Sequence, residues 1–256
     1  MFTDTHTHLY DEQLQPDIDA AIQRAIDASV TKMFMPNCDS TTIDGMLAIE
    51  KKWPRHCFAM MGLHPCYVKE QYKEELALVE QWLAKRKFTA IGEIGLDYYW
   101  DLSFAEQQKQ AFEQQIDWAL QYNLPIVIHS RESTQDCIDM VRKKQNGKLK
   151  GVFHCFSGTL DEATQVTELG LYLGIGGVVT FKKTTLADVV TAIPLEYMVL
   201  ETDAPYLAPV PYRGKRNESS YIPLVATKLA ELKNMDIADV ARITSENAEK
   251  IFPNWQ

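Results

Sequence analysis

Two histidines near the N-terminus of this 256-residue chain are spaced so that they could act as a pair. His6 and His8 lie in the segment MFTDTHTHLY, one residue apart and directly after a short apolar step. In a β-strand, residues i and i+2 point to the same face, so both imidazoles could bind one metal ion. Two ordinary surface histidines would show the same spacing, so other residues of the chain are needed to distinguish a metal site from a surface pair.

Further groups of the kind that bind metals are expected at or directly after the ends of other short apolar runs: His64, Glu93, His129, His154 and Asp203. A carboxylate in a segment as apolar as AIGEIGLD is costly to bury unless it is paired or metal-bound. Together with His6 and His8, this set includes five of the six histidines in the chain. The sixth, His56, lies at the start of its run and is interpreted as structural or solvated. Four histidines and two carboxylates suit a site for two divalent ions such as Zn, Mn, Fe or Co.

The apolar runs predict the elements that position these groups. They cover residues 1–8, 30–38, 56–65, 88–99, 124–133, 150–158, 171–181 and 196–207. Amphipathic stretches lie between them, and alternating strands and helices indicate βαβ units around a parallel sheet. We predict an α/β protein with one domain over residues 1–256, a single (β/α)8 TIM barrel. An open doubly wound sheet is the alternative.

The barrel prediction also explains how distant residues would meet. All strands of such a barrel end at one rim, and that rim carries the active site. Groups spread over two hundred positions would therefore converge on a metal site at the carboxyl ends of the strands.

Composition and charge limit the classes of function. No apolar run approaches the ~18–20 residues needed to span a bilayer, and no secretory signal is visible at the N-terminus. The five scattered cysteines are expected to be reduced thiols, which favours a cytoplasmic protein. A net charge of −9 argues mildly against nucleic-acid binding by bulk attraction but leaves room for a locally basic cleft. No membrane contact or obligate protein partner is predicted.

The ordered motifs resemble the TatD family of metal-dependent hydrolases, within the amidohydrolase-like superfamily of (β/α)8 barrels. The motifs are the His-x-His pair, GLHP, IGEIGLDYY, IHSR, FHCFSG, ETDAPYL and RGKRNE. They cover essentially the whole chain. One departure is the NES segment at 217–219, where the family usually has NEP.

The resemblance implies a metal site and an activity. Two divalent ions (Mg, Mn or Zn) would be held by His6, His8, Glu93, His129, His154 and Asp203. Glu93 would bridge the ions, since segment 88–99 holds no lysine that could be carboxylated for that role. The implied activity is that of a deoxyribonuclease, often a 3′-to-5′ exonuclease acting on single strands.

The expected mechanism is in-line attack of an activated water on a phosphodiester, with both its attacking and leaving oxygens stabilised by two ions. Asp203 is the predicted base for that water, Glu93 sets the spacing of the ions, and His64 contacts the scissile phosphate or the leaving oxygen. The alternative is a metal-dependent hydrolase of a small amide, lactone or phosphoester, because the same water activation serves these substrates. A non-enzymatic binding protein is a third hypothesis.

Basic side chains near the predicted rim are candidates for phosphate binding. Arg131 lies two residues after His129, and its planar fork suits a phosphate. Lys182 and Arg213 lie in the loops after strands 7 and 8, which often hold phosphates in such barrels. Arg213 also forms a basic cluster with Lys215 and Arg216. This cluster would draw in a DNA strand, or it is simply a solvated loop.

Three consecutive aromatic residues, Tyr98, Tyr99 and Trp100, follow the Glu93 segment. Aromatic faces stack nucleobases, and such clusters also pack beneath loops. The sequence leaves both interpretations open.

Overall fold

The computed structural model of the protein describes residues 1–252; the last four residues of the predicted domain, 253–256, lie outside the described residues. Within that range eight strands alternate with helices. The strands are β1 (Phe2–Asp4), β2 (Val30–Met35), β3 (Cys57–Ala59), β4 (Ile91–Asp97), β5 (Ile126–Arg131), β6 (Gly151–Phe153), β7 (Tyr172–Ile175) and β8 (Met198–Leu200).

The helices of the described residues follow the strands in turn. They are α1 (Ile18–Asp27), α2 (Ile43–Lys52), α3 (Tyr72–Lys85), α4 (Ala105–Tyr122), α5 (Thr134–Lys144), α6 (Leu160–Glu168), α7 (Leu186–Ala192), α8 (Ile222–Lys233) and α9 (Ile237–Ile251). Asp236 caps the N-terminus of α9, because its side chain accepts a hydrogen bond from the Ala238 amide. None of these helices combines the length and the apolar character that a membrane crossing would need.

The strands form two parallel sheets that meet at two seams. One sheet has the order β1-β2-β3 and the other the order β4-β5-β6-β7-β8. At the first seam Thr5 N donates to Leu200 O at 3.0 Å, and at the second Met61 N donates to Ala90 O at 3.1 Å. Single bridges at these seams join β8 to β1 and β3 to β4. The predicted (β/α)8 architecture is confirmed, with closure by bridges rather than by continuous ladders.

A core cluster gathers side chains from many strands, as a barrel interior requires. It combines residues of β2, β5, β6 and β8 with the end of α9. Phe252, directly after α9, stacks on Phe34 of β2 with ring centroids 4.5 Å apart. All seven residues of β4 are buried, in agreement with the burial of parallel strands on both faces.

Several predicted strand boundaries are wrong, and the errors matter for the site. β1 ends at Asp4, so His6 lies beyond the strand. The predicted strand 171–181 stops at Ile175, because residues 177–180 form a 3₁₀ turn. Glu93 was expected at the end of its strand but lies in the middle of β4. The polar groups thus come both from within strands and from the first loop residues after them.

Candidate metal centre

One buried carboxylate lies among five imidazoles. Glu93 is 1% exposed. Its Oε2 atom lies 3.0 Å from Nε2 of His6 and 3.6 Å from Nε2 of His8. Its Oε1 atom faces three more ring nitrogens at 2.9, 3.1 and 3.2 Å, namely Nδ1 of His129, Nε2 of His154 and Nε2 of His64. The two oxygens of one side chain therefore face two separate groups of histidines.

Asp203 completes the cluster on the Oε2 side of Glu93. Its Oδ1 atom lies 3.3 Å from Nε2 of His8 and 3.9 Å from Nε2 of His6. The Asp203 backbone has a φ of 55°, a left-handed conformation that is uncommon for residues other than glycine. Its amide donates to His6 O at 2.9 Å, so the segment after β8 is tied directly to the segment after β1.

The buried donors fit a divalent cation. Ligand atoms of His6, His8 and Asp203 lie within 4.8 Å of one another, and the same holds for His6, Glu93 and His154. Among the described residues, three buried side-chain atoms have no hydrogen-bond partner: His6 Nδ1 and Glu93 Oε2 within this cluster, and Glu201 Oε2 behind it. An unsatisfied buried carboxylate oxygen is costly, and a cation held by this nitrogen-and-oxygen donor set would satisfy it.

Two carboxylates behind the cluster orient two of its histidines. Asp97 Oδ2 lies 2.8 Å from Nε2 of His129, and Glu201 Oε1 lies 3.2 Å from Nδ1 of His154. A carboxylate accepts the ring N–H and so fixes the tautomer, which leaves the lone pair of the other nitrogen facing inward. Both histidines are therefore held ready as metal ligands.

His8 directs a ring lone pair into the site, as His129 and His154 do, whereas His64 directs an N–H group into it. His8 Nδ1 lies 2.8 Å from the Tyr10 hydroxyl, which itself donates to Pro36 O. The Tyr10 oxygen must therefore accept from His8, whose Nε2 lone pair faces inward. His64 Nδ1 instead accepts from the Cys66 amide at 3.0 Å. The proton of a neutral His64 ring is then on Nε2, which faces Glu93.

This tautomer separates His64 from the ligands. By distance alone, His64, Glu93 and His129 could form a third metal-binding group. Burial lowers the pKa of His64, so the ring is neutral near pH 7. A neutral ring with its proton on Nε2 offers the site a hydrogen-bond donor and no lone pair. The tautomer therefore argues against metal binding by His64, and its contact with a substrate stays a prediction.

The charges of the cluster are strongly coupled. Burial opposes ionisation of Glu93, but the nearby histidines, His64 first, hold its pKa well below the usual range. Burial also disfavours a charged His154, whereas the charges of Glu93 and Glu201 raise its pKa well above the usual value. For Asp97, burial raises the pKa, but the hydrogen bond and charge of His129 together with the hydrogen bonds from the Trp100 and Tyr99 amides lower it to about 2.

These shifts predict that cation binding releases protons. Because the pKa values of His154 and His129 are raised, both rings keep a second proton to a higher pH than a free imidazole does, and ligation requires the removal of that proton. Affinity should therefore fall as the pH falls below those pKa values. Calorimetric titration with Mn²⁺ or Zn²⁺ in buffers of different ionisation enthalpy should show proton release that diminishes as the pH rises. Heats that do not depend on the buffer would contradict this expectation.

Asp97 and Glu201 contact two of the candidate metal-binding histidines, and the sequence reasoning missed both. Asp97 ends β4, and Glu201 directly follows β8. Both are buried, at 1% and 0% exposure. The argument applied to Glu93, that a carboxylate in an apolar segment needs a partner, would have selected Glu201 in MVLETD as well.

Loss of the Glu201 charge should weaken the metal centre without emptying it. In Glu201→Gln, His154 keeps an oxygen acceptor but loses the carboxylate that fixes its tautomer. Mutation of such partners typically costs 10–100-fold in metal affinity or activity, and we expect a loss of about that size. Competition with a fluorescent chelator measures the affinity, and thermal unfolding controls for the fold. An unchanged affinity would show that Glu201 does not orient His154.

The three predicted phosphate contacts lie at different places. Arg131 ends β5, and its guanidinium lies over the Tyr99 ring at 3.7 Å from the ring centroid. Lys182 and Arg213 are exposed on the loops after β7 and β8, where Arg213 stacks on Phe181 at 4.4 Å. Among residues 1–252, neither of these two forms a hydrogen bond or ion pair with the cluster, and their roles stay predictions.

The basic cluster is smaller than the sequence indicated. Arg216 is paired with Asp17 and Glu218, so it is committed to a structural contact. Only Arg213 and Lys215 of the predicted three remain exposed.

The NES segment at 217–219 stabilises the backbone around Asp203. Asn217 Nδ2 donates to Thr202 O and Tyr206 O at 2.7 Å each, and Glu218 pairs with Arg24 at 2.6 Å. Ser219, the residue that departs from the family pattern, is buried. The segment thus fixes the backbone on both sides of Asp203 and does not line the site itself.

A barrel with imidazole and carboxylate donors gathered at the carboxyl ends of its strands defines a metal-dependent hydrolase. The comparisons agree. The family described as TatD related DNase matches residues 3–253, and the chain belongs to this family of metal-dependent hydrolases.

Three relatives illustrate the similarity. The uncharacterized metal-dependent hydrolase YabD of Bacillus subtilis is 39% identical over 98% of this chain and 99% of its own length. The 3′-5′ ssDNA/RNA exonuclease TatD of Erwinia tasmaniensis is 32% identical over 97% of this chain and 98% of its own. The crystal structure of YJJV, a TatD homologue of Escherichia coli K12, superposes with a TM-score of 0.93 at 30% identity over 98% of both chains.

Proposed function

We propose that the protein is an exonuclease that hydrolyses single-stranded DNA from its 3′ end with two divalent ions. The observation that carries the proposal is the N–H of His64, which points into a cluster of cation ligands. A site with cation ligands and a neutral N–H donor side by side is suited to an anionic phosphodiester. The Erwinia tasmaniensis relative, named as an exonuclease of single-stranded DNA and RNA, supports the same substrate class.

The distances suggest how the ligands divide between the two ions. His6, His8 and Asp203 would hold one ion on the Oε2 side of Glu93. His129 and His154 would hold the other on the Oε1 side. Glu93 would serve both. When bound, the ions lower the pKa of a water toward neutrality and offset the charge of the phosphate.

The chain supplies the proton acceptor and the phosphate contacts. The Asp203 side chain is 15% exposed and has a lowered pKa, because hydrogen bonding and charge from histidines outweigh burial. It is therefore ionised and accessible, and it would accept the proton of the attacking water. His64 would donate its N–H to the scissile phosphate or the leaving oxygen. Arg131 would bind a neighbouring phosphate.

The alternative substrate class is a small amide, lactone or phosphoester. Two observations favour this alternative. The net charge is −9, and among residues 1–252 neither Lys182 nor Arg213 forms a hydrogen bond or ion pair with the cluster. A small substrate would need neither of these side chains.

The deciding experiment is hydrolysis of end-labelled single-stranded DNA. Metal-stripped protein is resupplied with Mg²⁺, Mn²⁺ or Zn²⁺ and given 3′- and 5′-labelled strands, with Asp203→Asn as the inactive control. A 5′-labelled strand should shorten in a metal-dependent ladder, and the control should leave it intact. No cleavage with any of the three ions would reject the nuclease and direct the work to esters, amides and small phosphoesters.

A further inference from the structure

Two large aromatic side chains stand exposed beside the metal centre. Tyr99 and Trp100, in the loop between β4 and α4, are 49% and 69% exposed. Their rings meet edge to face with centroids 4.8 Å apart. The guanidinium of Arg131 lies over both, 3.7 Å from the Tyr99 centroid and 5.2 Å from the Trp100 centroid. We call these three residues the aromatic platform.

One carboxylate connects the platform to the metal ligands. Asp97 Oδ1 accepts the amide protons of Tyr99 and Trp100 at 3.0 and 3.2 Å. Its Oδ2 atom accepts from His129. Asp97 and Arg131 are also register partners in the β4–β5 ladder. The platform is therefore held in a fixed position relative to His129, at the edge of the site.

Tyr98 is not part of this surface, although the sequence grouped it with the other two. Its hydroxyl donates to Asp136 at 2.7 Å, and its ring lies beneath Lys109 at 6.0 Å. Of the two interpretations that the sequence left open, packing applies to Tyr98. Tyr99 and Trp100 are free to meet a ligand.

The chemistry of the platform indicates its ligand. Among residues 1–252, the Arg131 guanidinium forms no hydrogen bond or ion pair, so the two aromatic faces position it while its in-plane N–H groups stay available. Guanidinium N–H groups bind phosphate oxygens, and exposed aromatic faces stack nucleobases. A nucleic-acid strand offers a base and a phosphate at adjoining positions, whereas a small neutral amide or lactone offers neither.

We propose that the aromatic platform is a subsite that stacks one base of a single strand on Trp100 and holds the adjoining phosphate on Arg131. This proposal rests on the proposed nuclease function. It adds that recognition depends on a base near the cleaved bond and on the backbone being free of a paired strand.

The test compares bases with missing bases. Wild type, Trp100→Leu and Tyr99→Leu are assayed on a single-stranded oligonucleotide and on the same strand with abasic residues at its last three positions. Wild type should show a lower KM for the strand with bases. Loss of stacking on one base should raise that KM roughly tenfold, whereas any displacement of Arg131 should weaken binding of both strands alike, so that the preference for bases disappears.

Tyr197→Leu is the matched control. Tyr197 is also an exposed aromatic residue, at 38%, but it precedes β8 and lies away from the carboxyl ends of the strands. The Tyr197→Leu protein should keep the wild-type preference for bases. The thermal unfolding temperature should be unchanged in all variants.

Binding of a labelled strand to metal-free protein gives a second readout that does not require hydrolysis. Tighter binding of the strand with bases by wild type, lost in Trp100→Leu, supports the subsite. If Trp100→Leu cleaves and binds both strands as wild type does, the platform proposal is rejected and the nuclease proposal is retained. If wild type neither binds nor cleaves either strand, the nuclease function itself falls and the platform with it.

Discussion

Replacing Glu93 with glutamine should remove bound metal and hydrolysis together. Both oxygens of Glu93 face histidine nitrogens, on two sides of one buried side chain. An amide carries no charge, and its NH₂ group has no lone pair for a cation. Loss of partners that only orient ligands costs 10–100-fold in affinity, so loss of a shared ligand should exceed roughly 100-fold. Elemental analysis after equilibrium dialysis against Mn²⁺ or Zn²⁺ measures the result.

Glu50→Gln provides the matched control for that experiment. Glu50 is also a partly buried carboxylate, but it pairs with Arg86 at 2.6 Å and accepts from the Ala59 amide, away from the cluster. The Glu50→Gln protein should retain its bound metal and its hydrolytic activity. A Glu93→Gln protein with wild-type metal content and full activity would end the bridging proposal.

The sequence was sufficient for the architecture and for the convergence of the site. Apolar runs with reactive groups at or near their ends predict both at once, because a parallel barrel gathers the carboxyl ends of its strands at one rim. His6 and Asp203 are 197 positions apart, and their proximity could be predicted without knowing any contact between them. Errors in strand length did not affect this outcome, since a residue just beyond a strand still lies at the rim.

Details that depend on particular hydrogen bonds could not be predicted. Arg216 was grouped in a basic cluster that would draw in a DNA strand or be solvated, but it pairs with Asp17, a partner 199 positions away that no local pattern connects to it. Glu201 went unnoticed because the stronger candidate Asp203 lies two residues further on. The loop after β7 was predicted as strand because Gly-rich apolar segments do not distinguish a strand from a 3₁₀ turn.

The role proposed for His64 also depends on a particular hydrogen bond that the sequence could not predict. GLHP identifies a histidine at the rim, and distance places it near Glu93 as closely as the ligands. The separate role proposed for it follows from one backbone contact, the Cys66 amide donating to Nδ1. A metal ligand and a hydrogen-bond donor in the same position predict opposite results for metal content, so the assignment can be tested directly.

His64→Ala should lose activity while keeping its metal. A donor to the phosphate or the leaving oxygen contributes typically 10²–10⁴-fold, so kcat should fall by at least about 100-fold on single-stranded DNA. His64→Gln, which restores a side-chain N–H donor, should recover part of that loss. Metal content by elemental analysis should equal that of wild type in both variants, in contrast to Glu93→Gln. Metal lost in proportion to activity would instead make His64 a ligand, and Nε2 would then have to carry its lone pair into the site against the hydrogen bond from Cys66.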